Sequence, residues 1–483
     1  MNMEKIRTRF APSPTGYMHI GNLRTALYAY LIARKDPNGT FILRVEDTDQ
    51  GRLVEGAVDV VFETLKRCGL NHDEGPDVGG NYGPYVQSER MKSGIYSKYA
   101  HELVDMGKAH ICFCKSEELQ KQRDEAGDSF YFVDPCKKLS KQEIQERIDN
   151  GEEYVIRLNV DPVGTTSFVD EVYGTITVEN STLDEMVLLK SDGYPTYNFA
   201  NVIDDHLMEI SDVVRGNEYL SSTPKYNLIY NAFGWKIPRY IHCPPVMKDE
   251  HSKLSKRNGD ASFQDLVAKG YLPEAILNYI ALLGWSPSID KEIFSLEELA
   301  KEFDVKRIGT TGAIFDIEKL RWMNGVYLRN MDINQYYELV KPYIYDVVDN
   351  KLDYKLIADA IHDRVNILSE IKDMISFLNN VDDYELDIFN NKKAKTNPEL
   401  AKELLPKILE VLENINDWNN DTIFNSLACK AQELGIKNIT IMYPLQVALS
   451  GRAVAAGGAT AIAQILGKDE SINRVKKAIE KLG

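Results

Sequence analysis

The 483-residue sequence predicts an α/β protein with a doubly wound parallel sheet, an inserted α+β subdomain and an all-helical C-terminal half. Three observations support this. Short apolar strands alternate with amphipathic helices in the first part of the chain and again near residues 191–250, as in doubly wound sheets. Between these parts lie several short β-like runs (YVIRLNV, GTITVEN, EMVLLKS) and a charged helical stretch at 116–125. After about residue 330 strand signals fade, and helical spacing with dispersed charge continues.

The first segment is predicted to fold as strand, loop, helix and strand. Ile6, Thr8 and Phe10 alternate along a strand, and a proline- and glycine-containing loop follows at 11–22. The next helix carries one apolar face, formed by Leu23, Ala26, Leu27, Tyr30 and Leu31. The run FILRV at 41–45 suits a buried parallel strand that ends at the acidic residues EDTD. This order is Rossmann-like, and functional groups are expected at the carboxyl ends of its strands.

Composition excludes several classes of protein. The chain is too long for one hydrophobic core, and its 43% hydrophobic and 27% charged residues are typical of a globular protein. It has no 18-residue apolar run, and its N-terminus is charged where a signal peptide would be apolar, so we expect a cytoplasmic protein with no membrane partner. The net charge of -16 argues against non-specific coating of nucleic acid, although 236–257 is locally basic.

The loop PSPTGYMHIGN at 12–22 is suited to a nucleotide. Gly16 and the prolines rigidify the turn, and Gly21 lets the backbone approach a ligand. The helix that follows offers free N–H groups to a phosphate, and His19 is a candidate donor to it. A histidine in so short a motif can equally hydrogen-bond its own loop, so this motif alone does not decide the function.

A second polar loop, KLSKRNG at 253–259, places two lysines three residues apart. Lys253 and Lys256, with Ser255 between them, could stabilise the charge that moves onto a departing pyrophosphate. Taken alone, lysines on a solvated loop are ordinary surface residues. Together, the two loops resemble the HIGH and KMSKS signatures of class I aminoacyl-tRNA synthetases, in the expected order.

Longer strings narrow the resemblance to bacterial glutamyl-tRNA synthetases. They cover residues 6 to about 330 and comprise APSPTGYMHIGNLRTAL, RVEDTD, DEGPDVGGNYGPYVQSER, LLKSDGYPTYNFANVIDDHLMEISDVVRGNEYLSSTP, KLSKR and FDIEKLRWMNG. The helical remainder resembles the family's anticodon-binding region. The resemblance implies an ATP-dependent ligase that activates L-glutamate as glutamyl-adenylate and transfers it to the 3'-terminal adenosine of tRNA(Glu). The resemblance leaves open whether tRNA(Gln) is charged as well. Members of this family are monomers by default, so a monomer is expected.

The resemblance also assigns residues. It implies that His19, Gly21, Lys253 and Lys256 hold ATP, and that Ser255 belongs to the same catalytic signature. The family's glutamate-pocket positions match Arg9, Ser13, Glu46, Tyr197, Asn201, Arg215 and Glu218. A buried substrate carboxylate requires charge-assisted donors, which arginines supply, and a glutamate can accept from the substrate ammonium. Without this context, either pocket arginine could be an ordinary ion-pair residue.

In the helical half, Arg364 in IHDRVNILSEI matches the arginine by which this family can read the final anticodon base. An arginine donates hydrogen bonds and accepts none, so it can bind O2 or N3 of the cytosine in tRNA(Glu), whereas tRNA(Gln) has guanine there. We therefore expect selectivity for tRNA(Glu). The alternative is a surface arginine paired with Asp363 or Glu370.

The sequence raises the question of two metals, Mg²⁺ and zinc. ATP requires Mg²⁺, which substrate phosphates and water commonly hold with few protein ligands. Asp47 and Asp49 are therefore interpreted as cap or ion-pair residues. The cysteines Cys112, Cys114 and Cys136 resemble the zinc-binding insertion of some family members. The position two residues after the last of them is Lys138 rather than histidine, with Tyr131 as the only substitute considered, so zinc stays undecided with three ligands.

The expected domain boundaries follow from these assignments. They are a catalytic domain at 1–109 and 191–250, an inserted acceptor-binding subdomain at 110–190, a KLSKR and stem-contact region at 251–330, and helical anticodon-binding subdomains at 331–390 and 391–483.

Three rival functions fit the sequence less well. A paralogue that glutamylates queuosine in a tRNA lacks the anticodon-binding region, whereas about 150 residues follow Arg329 here. A non-catalytic tRNA-binding relative would be expected to lose His19 or the KLSKR lysines. A general nucleotidyltransferase with an H-x-G-H motif would have histidine where Asn22 stands.

Overall fold

The structure is a computed structural model, and it describes residues 5–49, 51, 54–115, 117, 121, 124, 134–254, 262–348 and 351–483. The chain divides into two compact units. The first comprises Met1–Leu266 and Ile276–Asp316, and the second comprises Val267–Ala275 and Ile317–Gly483.

A six-stranded sheet organises the first unit. Its strand order is β2-β1-β8-β9-β5-β6, and all neighbouring pairs are parallel except the β5–β6 hairpin. The strands are β1 Arg7–Phe10, β2 Thr40–Leu43, β5 Thr165–Asp170, β6 Gly174–Glu179, β8 Asp212–Gly216 and β9 Arg239–Cys243. The predicted doubly wound parallel sheet is confirmed, and the carboxyl ends of β2, β1, β8 and β9 meet at one edge.

Helices accompany this sheet. They are α1 Ile20–Arg34, α2 Ala57–Arg67, α3 Gln87–Lys92, α4 Ile95–Asp105, α5 Lys141–Asp149, α6 Tyr197–Leu207, α7 Thr223–Phe233, α8 Phe263–Ala268, α9 Pro273–Leu282 and α10 Leu296–Glu302. Helix α1 buries the apolar face predicted for it, including Leu23, Ala26 and Leu27. The unit boundaries fall within α8 and α9.

Strand β1 differs from its sequence pattern. The alternation of Ile6, Thr8 and Phe10 with charged residues suggests a strand with one solvated face, yet all of Arg7–Phe10 is buried. Its two edges pair with β2 and β8, and the side chains on both of its faces are buried. Arg7 and Arg9 are tolerated there because each is paired with a carboxylate, Glu74 for the first and Asp205 for the second.

The region around 110–190 contributes strands to two sheets. Strands β3 Ala109–Cys112, β4 Val155–Leu158 and β7 Val187–Leu189 form a separate antiparallel sheet, whereas the β5–β6 hairpin joins the main sheet beside β9. The charged helical stretch expected at 116–125 falls mostly outside the described residues. Two further short strands, β10 Val246–Met247 and β11 Ala313–Ile314, pair in parallel.

The second unit is helical, and its described residues contain no strand. Its helices after α9 are α11 Ile317–Arg329, α12 Ile333–Tyr345, α13 Tyr354–His362, α14 Ile371–Ile375, α15 Pro398–Asn414, α16 Asn420–Glu433, α17 Asn438–Ser450, α18 Gly458–Leu466 and α19 Lys468–Leu482. Buried Arg474 donates to the carbonyls of Phe377, Leu378 and Leu449 and also pairs with Glu470. It thereby ties the last helix to the segments before it.

Across the described ranges, every helix falls short of the length and apolar character needed to cross a bilayer.

Candidate active site

A cavity of about 220 Å³ opens at the carboxyl edge of β1 and β8, between the 11–19 loop and the first turns of α1. We call it the edge cavity. Six of the seven predicted glutamate-pocket residues line it, namely Arg9, Ser13, Glu46, Tyr197, Arg215 and Glu218. The seventh, Asn201, is buried and donates its Nδ2 to the carbonyl of Tyr197 at 2.9 Å. It therefore supports the wall of the cavity without lining it.

Arg9 is held by a carboxylate that the sequence analysis missed. Its Nε lies 2.9 Å from Oδ1 of Asp205 and its Nη2 lies 3.2 Å from Oδ2, a bidentate pair. Its Nη1 donates to the carbonyl of Val214 at 3.2 Å. A guanidinium has five N–H donors, so two remain for a ligand. Arg9 is thus an ion-pair residue and a lining residue of the edge cavity at once.

Glu46 is fixed by a second arginine that the sequence analysis missed. Arg44, which is 0% exposed, donates to Oε1 of Glu46 from Nη2 at 3.0 Å and from Nε at 3.3 Å. The other oxygen, Oε2, is buried and has no hydrogen-bond partner among the described residues. Burial raises the pKa of Glu46, and the nearby positive charges of Arg44, Arg9 and Arg215 oppose that rise. The group offers one free acceptor to the cavity.

Arg215 differs from Arg9 in having no carboxylate partner among the described residues. No ion pair of Arg215 occurs in the described part of the chain, and its buried Nε has no hydrogen-bond acceptor there. The guanidinium instead lies over the rings of Tyr219 at 4.7 Å and Tyr226 at 5.3 Å. Those ring faces attract a cation and hold it in place without neutralising it. A buried and unneutralised guanidinium favours an anionic ligand.

A buried ionic network surrounds the cavity. Asp205 accepts from Arg44 Nη1 at 2.8 Å as well as from Arg9, and the neighbouring Asp204 accepts from Arg90 Nε at 2.7 Å. Asp204 also accepts from Gln87 and Tyr96. The walls of the edge cavity therefore carry cationic donors on Arg9 and Arg215 and an anionic acceptor on Glu46 that have no partner among the described residues. These groups match the opposite charges of an amino acid that carries a second carboxylate.

His19 lies at the N-cap of α1, next to the edge cavity. Its Nδ1 accepts from the backbone N–H of Gly21 at 3.0 Å. An acceptor Nδ1 places the ring proton on Nε2, which is then a donor. A Cβ at position 21 would lie 3.1 Å from Nδ1, so glycine leaves the room that this ring needs. A hydrogen bond accepted at Nδ1, which caps the helix, is therefore compatible with donation from Nε2 to a phosphate.

The second signature loop is anchored on both sides. Lys253 is exposed and pairs as an isolated bridge with Met247 of β10, and Leu254 donates to the carbonyl of Val246. After the loop, Ser262 pairs with His19. The predicted residues Ser255 and Lys256 lie outside the described residues.

Four potential metal ligands cluster beside β3. The sulfurs of Cys112, Cys114 and Cys136 and a carboxylate oxygen of Asp134 all lie within 4.8 Å of one another. The expected fourth position was two residues after Cys136, whereas the fourth group lies two residues before it. The two sulfurs of Cys114 and Cys136 are 3.9 Å apart, close to the roughly 3.8 Å that two thiolates on one tetrahedral zinc would have.

Neighbouring groups orient the Asp134 carboxylate. His110 Nε2 lies 2.9 Å from Oδ2, and the backbone N–H of Cys136 donates to Oδ1 at 2.8 Å. Although burial opposes ionisation, the hydrogen bonds from His110, Cys112 and the Cys136 backbone hold the pKa of Asp134 well below its usual range. Burial and then Asp134 itself raise the pKa of Cys112 to about 11.

Arg364 in the second unit follows α13 and is exposed. Neither alternative partner from the sequence analysis engages it. Glu370 pairs with Arg321 at 2.7 Å, and no ion pair of Arg364 with Asp363 occurs among the described residues. The acidic residue Asp47, interpreted as a cap, accepts at 2.8 Å from the backbone N–H of Ser88 in the first turn of α3.

Comparisons with known proteins agree along the whole chain. A family of tRNA synthetases class I (E and Q), catalytic domain, matches residues 5–322, and an anticodon binding domain family matches 335–479. The chain is 56% identical to the glutamate–tRNA ligases of Clostridium tetani and Clostridium acetobutylicum, with 100% of the chain and at least 99% of each relative covered. A crystal structure of a glutamate tRNA ligase from Elizabethkingia meningosepticum in complex with its amino acid superposes with a TM-score of 0.88 at 34% identity, covering 99% of this chain and 100% of that one.

Proposed function

The chain belongs to the glutamate–tRNA ligases, class I aminoacyl-tRNA synthetases, and we propose that the edge cavity is where it binds and activates L-glutamate. The observation that carries this proposal is that two residues lining one cavity each have a buried polar atom without a hydrogen-bond partner in the described part of the chain. Nε of Arg215 is a cationic donor and Oε2 of Glu46 is an anionic acceptor. A side-chain carboxylate and an α-ammonium of the same ligand satisfy both.

The orientation of glutamate in the edge cavity follows from the reaction with ATP. The α-carboxylate must reach the α-phosphorus of ATP, so it points towards the N-terminus of α1, where Asn22 and Thr25 line the cavity. The side-chain carboxylate then faces Arg215 and the two remaining donors of Arg9. Charge-assisted bonds to two guanidiniums select glutamate over glutamine, because the amide of glutamine brings donors where acceptors are needed.

Two bonds form in sequence. An α-carboxylate oxygen of glutamate attacks the α-phosphorus of ATP, the bond to the bridging oxygen breaks, and pyrophosphate leaves. The 2'-hydroxyl of the terminal tRNA adenosine then attacks the carbonyl carbon, its proton is lost, and AMP leaves. Nε2–H of His19 and the N-terminus of α1 would stabilise the charge on the phosphate. Lys253 and Lys256 would stabilise the pyrophosphate.

Mg²⁺ would accompany ATP, held mainly by phosphate oxygens and water. Discrimination between tRNAs would come from the helical unit. Arg364 is suited to this role because its exposed guanidinium is not neutralised by a carboxylate within the described ranges. We propose that it reads the last anticodon base and thereby favours tRNA(Glu).

We also propose that Cys112, Cys114, Asp134 and Cys136 hold a structural zinc. Three thiolates and one carboxylate are ligands that zinc accepts, and His110 orients the carboxylate as an outer-shell partner would. Zinc content is measured by elemental analysis of the purified protein. About one zinc per chain is expected in the wild type, and Asp134→Asn, which alters a direct ligand, should lower the zinc affinity by at least the roughly 10- to 100-fold that loss of an outer-shell partner costs. A wild-type protein that stays zinc-free in added zinc would exclude the site.

The test of the edge cavity is steady-state charging of tRNA(Glu) with radiolabelled glutamate. Glu46→Gln replaces the unpaired acceptor oxygen with an amide of similar shape. The KM for glutamate should rise at least tenfold, since a charged hydrogen bond contributes about 1.5–3 kcal/mol, while the KM for ATP stays within threefold. An unchanged KM for glutamate would mean that the ammonium is bound elsewhere.

A further inference from the structure

Asp205 is the carboxylate on which two arginines converge, Arg9, which lines the edge cavity, and Arg44, which holds the lining residue Glu46. Its Oδ1 accepts from Arg9 Nε at 2.9 Å and from Arg44 Nη1 at 2.8 Å, and its Oδ2 accepts from Arg9 Nη2 at 3.2 Å. All three side chains are at most 3% exposed. Burial disfavours the ionised form, but Arg9 and then Arg44 outweigh it and lower the pKa of Asp205 to about 2.

The two arginines lead to different parts of the edge cavity. Arg9 lines the cavity itself and keeps two N–H donors after its bonds to Asp205 and Val214. Arg44 does not line the cavity but donates to Oε1 of Glu46, a lining residue whose Oε2 has no hydrogen-bond partner among the described residues. One carboxylate on α6 therefore sets the orientation of both a cationic and an anionic wall group.

We propose that Asp205 is the positioning residue for glutamate selection, acting through Arg9 and Arg44. This inference rests on the proposed function of the edge cavity. The bidentate pair fixes the plane of the Arg9 guanidinium, so that its remaining donors converge with Arg215 on one carboxylate. It also supplies the negative charge that keeps three neighbouring guanidiniums, those of Arg9, Arg44 and Arg215, from repelling one another.

The chain contains a matched pair that separates positioning from stabilisation. On the same strand as Arg9, Arg7 forms a bidentate pair with Glu74, at 2.9 and 3.2 Å. Neither Arg7 nor Glu74 lines the edge cavity. Removing the Glu74 carboxylate therefore removes the same kind of ion pair from the same strand without touching the substrate wall.

The substitution that tests Asp205 should keep the shape of its side chain. Asp205 lines another cavity, of about 670 Å³, together with residues that include Tyr230, Asp212 and Arg239. Truncation to alanine would enlarge that cavity and mix the effects of charge and volume. Asp205→Asn keeps the shape but places an amide N–H against the arginine donors, so Arg9 loses its bidentate partner.

The experiment compares Asp205→Asn with Glu74→Gln in full-length protein, by charging kinetics and thermal unfolding. We expect Asp205→Asn to raise the KM for glutamate about 10- to 100-fold, while kcat and the KM for ATP stay within about threefold of the wild type. The ratio of kcat/KM for glutamate to that for glutamine should fall. Glu74→Gln should lower the melting temperature but leave the KM for glutamate within twofold. Asp205→Glu, which keeps the charge, should recover part of the lost affinity.

Three outcomes would overturn the inference. They are an unchanged KM for glutamate in Asp205→Asn, an equal rise in the KM for glutamate and for ATP, and an equal effect of Glu74→Gln. If Asp205→Asn does not fold, Asp205→Glu carries the same test, because its carboxylate is displaced by one methylene: the KM for glutamate should then rise above the wild-type value while the KM for ATP does not. Glu46→Gln distinguishes failure of the positioning role from failure of the proposed function. If Glu46→Gln raises the KM for glutamate and Asp205→Asn does not, the positioning role of Asp205 is wrong and the proposed function of the edge cavity stands.

Discussion

Replacing Arg215 with methionine removes a buried guanidinium but keeps a long apolar stem. In the described chain this guanidinium has no carboxylate partner, and its Nε lacks an acceptor. Its role in the account is to bind the side-chain carboxylate of glutamate. The variant should therefore lose substrate binding with little loss of folding free energy.

The expected magnitude follows from the environment of Arg215, which is 6% exposed. Removing one partner of a buried charged hydrogen bond costs about 2–5 kcal/mol of binding free energy. Taking about 2–4 kcal/mol, kcat/KM for glutamate falls about 30- to 900-fold. Loss of the contacts with Tyr219 and Tyr226 is offset by relief of an unneutralised buried charge. The melting temperature should change by less than about 4 °C.

The assay is charging of tRNA(Glu) with labelled glutamate, alongside thermal unfolding, for Arg215→Met and a matched Arg9→Met. The second variant removes the bidentate partner of Asp205, which costs about 3 kcal/mol of folding free energy. Its melting temperature should fall by roughly 6–12 °C. Because both arginines line the edge cavity, both variants should lose binding of glutamate, but only Arg9→Met should also lose folding stability.

Two results would refute this reasoning. One is an Arg215→Met enzyme whose kcat/KM for glutamate stays within threefold of the wild type. The other is an equal fall in activation of glutamate and glutamine, which would make Arg215 a scaffold residue.

Three further predictions concern the phosphates, the anticodon and pH. Lys256→Ala should lower the charging rate about 100-fold or more, because a phosphate-directed donor acts mainly in the transition state, and near-normal turnover would exclude the role. Arg364→Gln should reduce the ratio of kcat/KM for tRNA(Glu) to that for tRNA(Gln), and an unchanged ratio would exclude anticodon reading. Burial raises the pKa of Glu46 above 4.5. On acidification, kcat/KM for the glutamate substrate should therefore begin to fall at a higher pH than the ordinary pKa of a glutamate side chain would predict. The raised pKa means that Glu46 itself favours the folded state most at low pH and that this contribution is lost as pH rises, so protonation of Glu46 does not by itself unfold the protein. Thermal unfolding at each pH separates loss of binding from loss of the fold.

The sequence predicted the elements of the fold because their patterns are local. The apolar face of α1, the strand at Thr40–Leu43 and the helical second unit are each visible within a short window. The burial of β1 is not local. Arg7 and Arg9 look like the solvated face of a strand, since their carboxylate partners lie 67 and 196 residues away.

The same limit explains the parts of the site that were missed. Asp205 was visible in the string VIDDHL, but no spacing connects it to Arg9 or Arg44. In the metal cluster, the fourth group is the carboxylate of Asp134, two residues before Cys136, whereas the expected position lay two residues after it. An aspartate beside the third cysteine was the available signal. Contacts between distant segments decide these roles, and the fold is needed to see them.

The central claim is that one cavity binds glutamate by its two ends, and a crystal structure of the enzyme with L-glutamate tests it most directly. The account predicts electron density in the edge cavity, with the ammonium within hydrogen-bond distance of Oε2 of Glu46. It also predicts that the side-chain carboxylate accepts from Nε of Arg215 and from Arg9. Glutamate bound elsewhere, or bound in the edge cavity with Glu46 and Arg215 still unpaired, would contradict the account.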